Sequence, residues 1–373
     1  MSIDTTTAKH ETGATERPAA APGQLQKLLR SGPARVLIKR LAAVPLVLWA
    51  LATLVFFALR LIPGSPATRL GTVGTDGMDT EQISANIHAI NSQLGLDKSL
   101  PEQYFSYLWS ILRFDFGNSF YGGNPVKDLV FSALPATVEL TVAAMAMAVL
   151  IGALTGVIAA VWRGGWVDNT IRAFSTVAYS LPWFALGVMA IVVFAVMLGW
   201  FPVLGRLPNS LDYRPTTNFV LLDAVLQGRP DLIGPWLLHL ALPATTLAIS
   251  MSGYITRMVR AAVLDVLGDD FVRTARMKGI SETRILSRHV ARNSSLPVVT
   301  VLGLQFGSLL GGSVITEAVF SYPGIGKLLV SGVYQRDYLV VQGGIFAIGL
   351  LCILVNLLVD LIYLWLDPRL RKS

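Results

Sequence analysis

Residues 41–62 read LAAVPLVLWALATLVFFALRLI, an unbroken apolar run with a single charge, Arg60. A run of this length meets the roughly 20 residues that an α-helix needs to cross the hydrocarbon core of a bilayer. Working outward, five more such runs follow, at about 135–161, 172–198, 236–256, 297–319 and 340–365. Six spans predict an all-α integral membrane protein. Composition points the same way: 53% of the 373 residues are apolar and only 14% are charged, against about 25% charged in a soluble domain. Pro45, Pro182 and Pro243 fall inside spans, where neighbouring helices can satisfy the freed carbonyls.

Orientation is written in the flanks, because Lys and Arg accumulate on the cytoplasmic side. Lys27, Arg30, Arg35, Lys39 and Arg40 precede the first span, and Arg163 and Arg172 flank the loop after the second. Arg257, Arg260, Arg273, Arg276, Lys278, Arg284, Arg288 and Arg292 fill the loop after the fourth, and Arg369, Arg371 and Lys372 follow the sixth. With six spans these segments share one side, so both termini are expected in the cytoplasm. The net charge of +7 is then a topology signal, and nucleic acid is not an expected partner.

The domain order expected is a disordered tail over 1–33, a first helix over 34–62, an external segment over 63–134, a five-helix core over 135–368 and a short tail over 369–373. Residues 1–33 are rich in Thr, Ala, Pro and Gly and have no apolar period, as in disordered segments. The first apolar run lies too far in, and is too long, for a secretory signal. Within 63–134, PEQYFSYLWSILRFDFG (101–117) places Tyr104, Leu108, Ile111 and Leu112 at helical spacing. That spacing predicts an amphipathic helix against the outer face.

The cytoplasmic loop 265–296 carries the most information. Its stretch GDDFVRTARMKGISETRILSRHVARNSSLP (268–297) offers Asp269 or Asp270 as an N-cap and Gly279 as the residue that ends a short helix. Ser281 can start a second helix that bears Arg284, Arg288 and Arg292 at i, i+4 spacing, and Pro297 opens the fifth span. The expected product is a helix–turn–helix projecting from the membrane, small at Ala275 and basic at its rim, suited to an acidic groove on a partner.

This segment resembles the EAA loop of ABC importer permeases, in the version of the dipeptide/oligopeptide/nickel group. The pattern R-T-A-x-x-K-G is met by Arg273, Thr274, Ala275, Lys278 and Gly279, and N-x-x-L-P by Asn293, Leu296 and Pro297. Arg273 and Thr274 stand where the general pattern has Glu and Ala, departures shared by that subgroup. The blocks LGLDKSLPEQYFSYLWSILRFDFGNSF (94–120), LPATVEL (134–140), SLPWFALGVMAIVVFAVMLGWFPVLG (180–205), EAVFSYPGIGKLLVSGVYQRDYLVVQG (317–343) and DPRLR (367–371) are similar to the same family in the same order, so the likeness covers about 35–370. The resemblance implies a type I importer permease of six helices in the bacterial inner membrane, forming half of a pathway for short peptides. It implies a homologous second permease, two ATP-binding subunits and an external solute-binding protein as partners, besides membrane lipid. ATP and Mg would be bound by the ATPases, with no cofactor on this chain. Residues 273–279 would dock into the ATPase, with Arg284 and Pro297 in the same loop. Nickel chelates, glutathione and other small solutes are cargoes of the same machinery.

Other residues invite functional readings. Gly303, Gly307 and Gly311 make two G-x-x-x-G steps, which suit close helix packing or a pore-facing strip; Gly152 and Gly156 repeat the pattern. Glu139, Glu317, Asp360 and His239 are ionisable groups in or near spans. Structural anchoring is the first reading of the carboxylates, with Glu139 expected in the first turn of an inbound helix. Cargo contact, at Glu317 and Gln305, is the second. His239 has no second ligand at metal spacing, and the lone Cys352 reads as a small buried hydrophobe. GIGK (324–327) lacks the rest of a phosphate loop and reads as an external turn shaped by Pro323 and Gly324. No paired Asp, Ser–His or H-E-x-x-H motif lies in the spans, which argues against an intramembrane enzyme. No inverted repeat of broken helices is evident, which argues against a stand-alone secondary transporter.

Overall fold

Inside a bilayer an unpaired backbone amide has no water to turn to, so apolar runs close their hydrogen bonds within a helix. The computed structural model describes residues 32–61, 80–93 and 95–366. Residues 1–31 of the expected tail 1–33 and the whole of the expected tail 369–373 lie outside the described residues, as do DPRLR (367–371), residues 62–79 and Leu94. Among the described residues the first helix is α1 (Gly32–Leu61), followed by α2 (Thr80–Gln93) and α3 (Leu100–Leu112). Next come α4 (Val126–Val161), α5 (Trp166–Ser180) and α6 (Trp183–Ala190), which continues in wide π turns over Ile191–Met197. Then follow α7 (Val220–Leu226), α8 (Ile233–Leu267), α9 (Asp270–Met277) and α10 (Glu282–Arg284). A second π stretch, Ile285–Val290, leads into α11 (Ala291–Val319), and α12 (Ile325–Gln335) and α13 (Tyr338–Leu366) complete the chain.

Five helices are long and apolar enough to cross a membrane, and the bent pair α5–α6 makes a sixth when taken as one broken span. The hydropathy reading draws that third span as one helix over 172–198. The structure bends it by 100° between Ser180 and Trp183, because Pro182 has no N–H to give and pushes Leu181 into extended backbone (ψ 132°). The second span also differs. Hydropathy starts it near 135, whereas α4 begins at Val126. Lys127 and Asp128 are exposed there while Val126 and Val130 are buried, so the extension is amphipathic and an apolar window passes over it.

Helices α4 and α8 run side by side in the same direction. Near their starts Trp236 Nε1 donates to Glu139 (3.0 Å). Further along, a Cβ on Gly152 would sit 2.6 Å from Ile255, and one on Gly156 2.7 Å from Val259 and 2.8 Å from the Thr256 carbonyl. The hydroxyls of Thr155 and Thr256 bond at 2.8 Å between them. On α4 the buried residues Ala136, Leu140, Ala144, Ala148, Gly152, Gly156 and Ala160 recur every fourth position. This mostly small stripe is what lets the two backbones approach.

The remaining helices are placed by contacts with this pair. Asp168, at the start of α5, meets Arg260 of α8, and Trp183 Nε1 donates to Ser250 (2.7 Å). By Gly205, whose amide donates to the Phe320 carbonyl, the chain has reached the far end. Helix α11 runs against α8, and α13 returns beside α4 and α11. A Cβ on Gly343 would meet Val126, and one on Gly303 would collide with Val359. Helix α1 packs antiparallel to α13, with Leu51 against Gly349. The start of α1 and the end of α13 therefore lie at the same end as α9. Helix α3 lies against α1 through Tyr104, whose hydroxyl bonds Thr53 (2.8 Å), and through buried Ile111. Leu112, expected on that face, is 72% exposed. The turn read at Pro323–Gly324 opens α12, whose Ile325 and Leu329 are buried against Val126, Val130 and Val340.

Gly156→Leu should cost about 3 kcal/mol by overpacking the α4–α8 seam, read as a lower melting temperature of the detergent-purified chain. Gly307→Ala, where a Cβ meets nothing within 4 Å, should leave that temperature unchanged.

Candidate coupling site

Helix α9 stands off the end of α8 as a short unit with a closed C-terminal end. Asp269 is its N-cap residue, with extended backbone (φ −69°, ψ 149°) and no side-chain cap bond. At its other end the Ile280 amide donates to the Ala275 carbonyl (3.2 Å) and the Gly279 amide to Arg276 (2.9 Å). These two bonds form a Schellman motif. Gly279 takes φ +71°, a left-handed conformation that glycine adopts without a side-chain penalty.

Two residues seat the helix on the protein: Val272, fully buried, and Ala275, 8% exposed, which join a cluster with Ile285, Val290 and Val259. The small residue expected on the outer face therefore faces inward, because it must let α9 lie close to its own chain. The outer face carries Phe271, Arg273, Thr274, Met277 and Lys278, all exposed, with Met277 at 81%. Arg276 joins α9 to α10 by donating to Glu282 through Nε (2.6 Å) and Nη2 (3.3 Å). That guanidinium holds the Glu282 carboxyl below its ordinary value.

Arg284, Arg288 and Arg292 are all exposed. The single i, i+4 stripe expected of them is interrupted, since Ile285–Val290 takes π turns. Ile285 and Val290 are five residues apart and both buried, and a wider turn brings such a pair onto one face. Pro297 lies inside α11, past its first turn. At the base of α8, Arg260 makes a two-pronged pair with Asp168, Nε at 2.7 Å and Nη2 at 2.8 Å, while Asp168 also accepts the Gly164 amide (2.9 Å). This clamp ties α8 to the turn between α4 and α5.

The glycines of α11 divide. Gly303 is packed against Val359, whereas Gly307 and Gly311 have nothing within 4 Å of a Cβ. With Leu304, Ser308 and Ile315 they form an open face; Gln305 beside it is half-buried. Glu317 is not on that face. It is fully buried and accepts the Gly326 amide (2.6 Å) at the start of α12, where a carboxylate complements the helix end. Gly324 and Gly326 have no room for a Cβ beside it. These contacts are those of a structural anchor, the first reading given to Glu317, and they cap α12.

Glu139 is also an anchor, by a different cause from the one expected. It lies four turns into α4, and it accepts from Arg206 Nε (3.0 Å), the Val220 amide (2.7 Å) and Trp236. Asp223, buried in α7, accepts from the Tyr213 hydroxyl (2.7 Å), the Thr217 amide (2.8 Å) and hydroxyl (2.7 Å) and the Thr216 amide (3.1 Å). These two carboxylates fold the segment between α6 and α8. His239 Nδ1 donates to the Pro235 carbonyl (2.8 Å). The side chain of Asp360 lies outside the described residues. Asp168, Arg206 and Asp223 escaped the sequence reading; their one signal was a lone charge beside apolar chain.

The family model described as "Binding-protein-dependent transport system inner membrane component" matches residues 152–372. Its N-terminal companion matches residues 34–141. The chain belongs to this family of bacterial inner-membrane transport components. It is a permease subunit of the ABC transporter class and not itself a catalyst. The di/tripeptide transport system permease protein DppB of Pseudomonas aeruginosa (strain UCBPP-PA14) is 42% identical over 322 residues, covering 86% of this chain and 94% of that protein. The dipeptide transport system permease protein DppB of Escherichia coli (strain K12) is 39% identical over 341 residues, with 90% and 98% covered. A chain of the inward-facing MetNI methionine ABC transporter aligns with a TM-score of 0.47 at 18% identity, over 64% of this chain and 96% of that one.

The Asp223 contacts also set a pH dependence. Burial pushes its carboxyl up, but the hydrogen bonds from Tyr213, Thr217 and Thr216 outweigh it and hold the carboxyl below its ordinary value of 3.8. A lowered folded value stabilises above the ordinary one and is lost as pH falls through the folded one. Proteolysis within 206–229 should therefore accelerate below about pH 4 and stay slow at neutral pH; in Asp223→Asn it should be fast at both.

Proposed function

We propose that this chain forms half of the translocation pathway of a peptide-importing ABC transporter and that α9 is where ATP-driven motion enters it. The observation that carries this reading is α9 itself: closed at its C-terminal end by Gly279, seated on Val272 and Ala275, and presenting Phe271, Arg273, Thr274, Met277 and Lys278 outward. An exposed apolar centre with a basic rim fits a groove with acidic walls on an ATP-binding subunit.

The physical route inward follows the contacts. A displacement of α9 acts on Ile285 and Val290, hence on the start of α11, through one buried cluster. It acts on α10 through Arg276–Glu282 and on α8 through the short link at Gly268. The Asp168–Arg260 clamp makes the base of α8 move with α5. The open face of α11 at Gly307 and Gly311 would then meet the pathway and a homologous second permease. Two ATPases in trans would hold ATP and Mg, so this chain needs no cofactor of its own. A solute-binding protein would dock at the end opposite α9. The basic residues at the α9 end make it cytoplasmic by the positive-inside rule, with both termini there. A tilt between inward and outward access is a population shift set by the difference in partner affinity for the two states.

Short peptides are the favoured cargo because the relatives at 42% and 39% identity are named di/tripeptide and dipeptide permeases. Nickel chelates or glutathione, carried by the same machinery, would appear instead as competition in uptake assays.

Met277→Glu tests the coupling site, since an 81% exposed side chain can change without disturbing the fold. Expected is loss of ATPase subunits from a detergent pull-down and at least a tenfold fall in ATP-driven dipeptide uptake by proteoliposomes, a loss of about 1.4 kcal/mol, with an unchanged melting temperature. Uptake by the chain alone, without ATPases, would overturn the reading and make it a secondary transporter.

A further inference from the structure

At the end opposite α9, the outer parts of α1, α3 and α13 enclose a cavity of about 540 Å³. That is the size of a small-molecule site. It lies on the α1 side of the fold, away from the open face of α11. Its walls include Phe56 and Tyr107, the amides Gln103 and Gln342, and two cations, Arg60 and Lys98. Among the described residues lining it, none is acidic.

Arg60 is held in place, and among the described residues it meets no carboxylate. Its guanidinium lies 3.3 Å above the Phe56 ring centroid. Its Nη1 donates to the Phe56 carbonyl (3.1 Å) and its Nη2 to Gln103 Oε1 (2.6 Å). Those bonds use two of five N–H donors, and neither acceptor carries a charge. Gln103 is fixed in turn by donating to the carbonyls of Leu96 (3.1 Å) and Lys98 (2.8 Å). No described carboxylate pairs with Arg60 or with the Lys98 ammonium. Two cations around one cavity repel each other, and an oriented guanidinium with spare donors suits a tetrahedral oxyanion.

We infer that this cavity binds a phosphate group, and that the group is the headgroup of an acidic phospholipid. The second observation is an apolar groove of about 120 Å³ lined by Phe114, Phe131, Leu350 and Leu354. Phe116 borders both cavity and groove. The groove runs along α4 and α13 toward the middle of the bilayer, as an acyl chain would need. On the outward side of α3, Phe105, Trp109 and Leu112 are exposed, and the Arg113 guanidinium lies 4.5 Å from the Trp109 ring centroid. An aromatic and cationic rim of this kind sits at headgroup level, which puts the cavity mouth at the right depth. The site would tie the α1–α3 layer to the outer leaflet.

The test uses the purified chain, with whatever subunits accompany it, in nanodiscs of phosphatidylglycerol or phosphatidylcholine, and counts lipids retained in native mass spectrometry. Wild type should retain phosphatidylglycerol in preference to phosphatidylcholine. Arg60→Gln should lower that retention about tenfold, as expected for loss of a charge-assisted bond. Lys98→Gln, at an exposed position where folding is not at stake, should lower it in the same direction, and Arg214→Gln, on the distant segment between α6 and α7, should not. A parallel arm measures thermal stabilisation in detergent by sodium phosphate against sodium chloride at matched ionic strength. Stabilisation that needs Arg60 and Lys98, without selective lipid retention, would reassign the source to free phosphate and overturn the lipid. Equal retention and equal shifts in wild type and both cavity variants would overturn the site altogether.

Discussion

The seam between α4 and α8 is the contact on which the other helices depend. Lipid tails are as apolar as leucine, so burial from water does not hold two membrane helices together. Close backbone approach does, and it needs small residues in register. Gly152 and Gly156 give that approach against Ile255 and Val259, and the Thr155–Thr256 bond fixes the slide of one helix along the other. Once the pair is set, α5 crosses at Gly253, where a Cβ would strike the Ser175 carbonyl, and α6 hangs from Ser250 through Trp183. Residues 259–275, from the end of α8 into α9, then share one buried cluster with α4 and the start of α11.

Four of the buried carboxylates do a second kind of work. Glu139, Asp168 and Asp223 are each matched by a guanidinium or by amide and hydroxyl donors, whereas Glu317 accepts the Gly326 amide through one oxygen and its Oε1 has no partner among the described residues. An unpaired charge in such surroundings would be costly. Each joins a helix to an irregular segment: Glu139 and Asp223 to the stretch before α8, Asp168 to the α4–α5 turn, Glu317 to the start of α12. The ionisable groups that look most like cargo ligands in the sequence are thus spent on architecture. What remains open is the small-residue face of α11 at Gly307 and Gly311 and the outer face of α9, where Phe271 and Met277 lie among Arg273 and Lys278.

Much of this was legible in the residues alone. Six apolar runs, their basic flanks and the capped Asp269–Gly279 segment required only local physics: a bilayer thickness, a helix period and the left-handed backbone that glycine permits. The membrane class and the position of the short helix α9 follow from those. Three kinds of feature did not follow. Charge hid the first turns of α4, since an apolar window cannot distinguish an amphipathic extension from a loop. Pro182 was read as a tolerated proline, although its neighbours leave the chain bent by 100°. Ala275 was read as part of a partner-facing unit, and it turned inward.

The sequence by itself determined what each segment is: which stretches must be helical, which end is basic and where a short capped helix must stop. Only the tertiary structure decided what each segment faces. Whether Gly303 packs while Gly307 stays open, or which donor meets Glu139, depends on residues more than fifty positions away in the chain. A helix repeats every 3.6 residues whatever surrounds it, so its periodicity carries no record of its neighbours. That record exists only once the backbones have come within van der Waals reach.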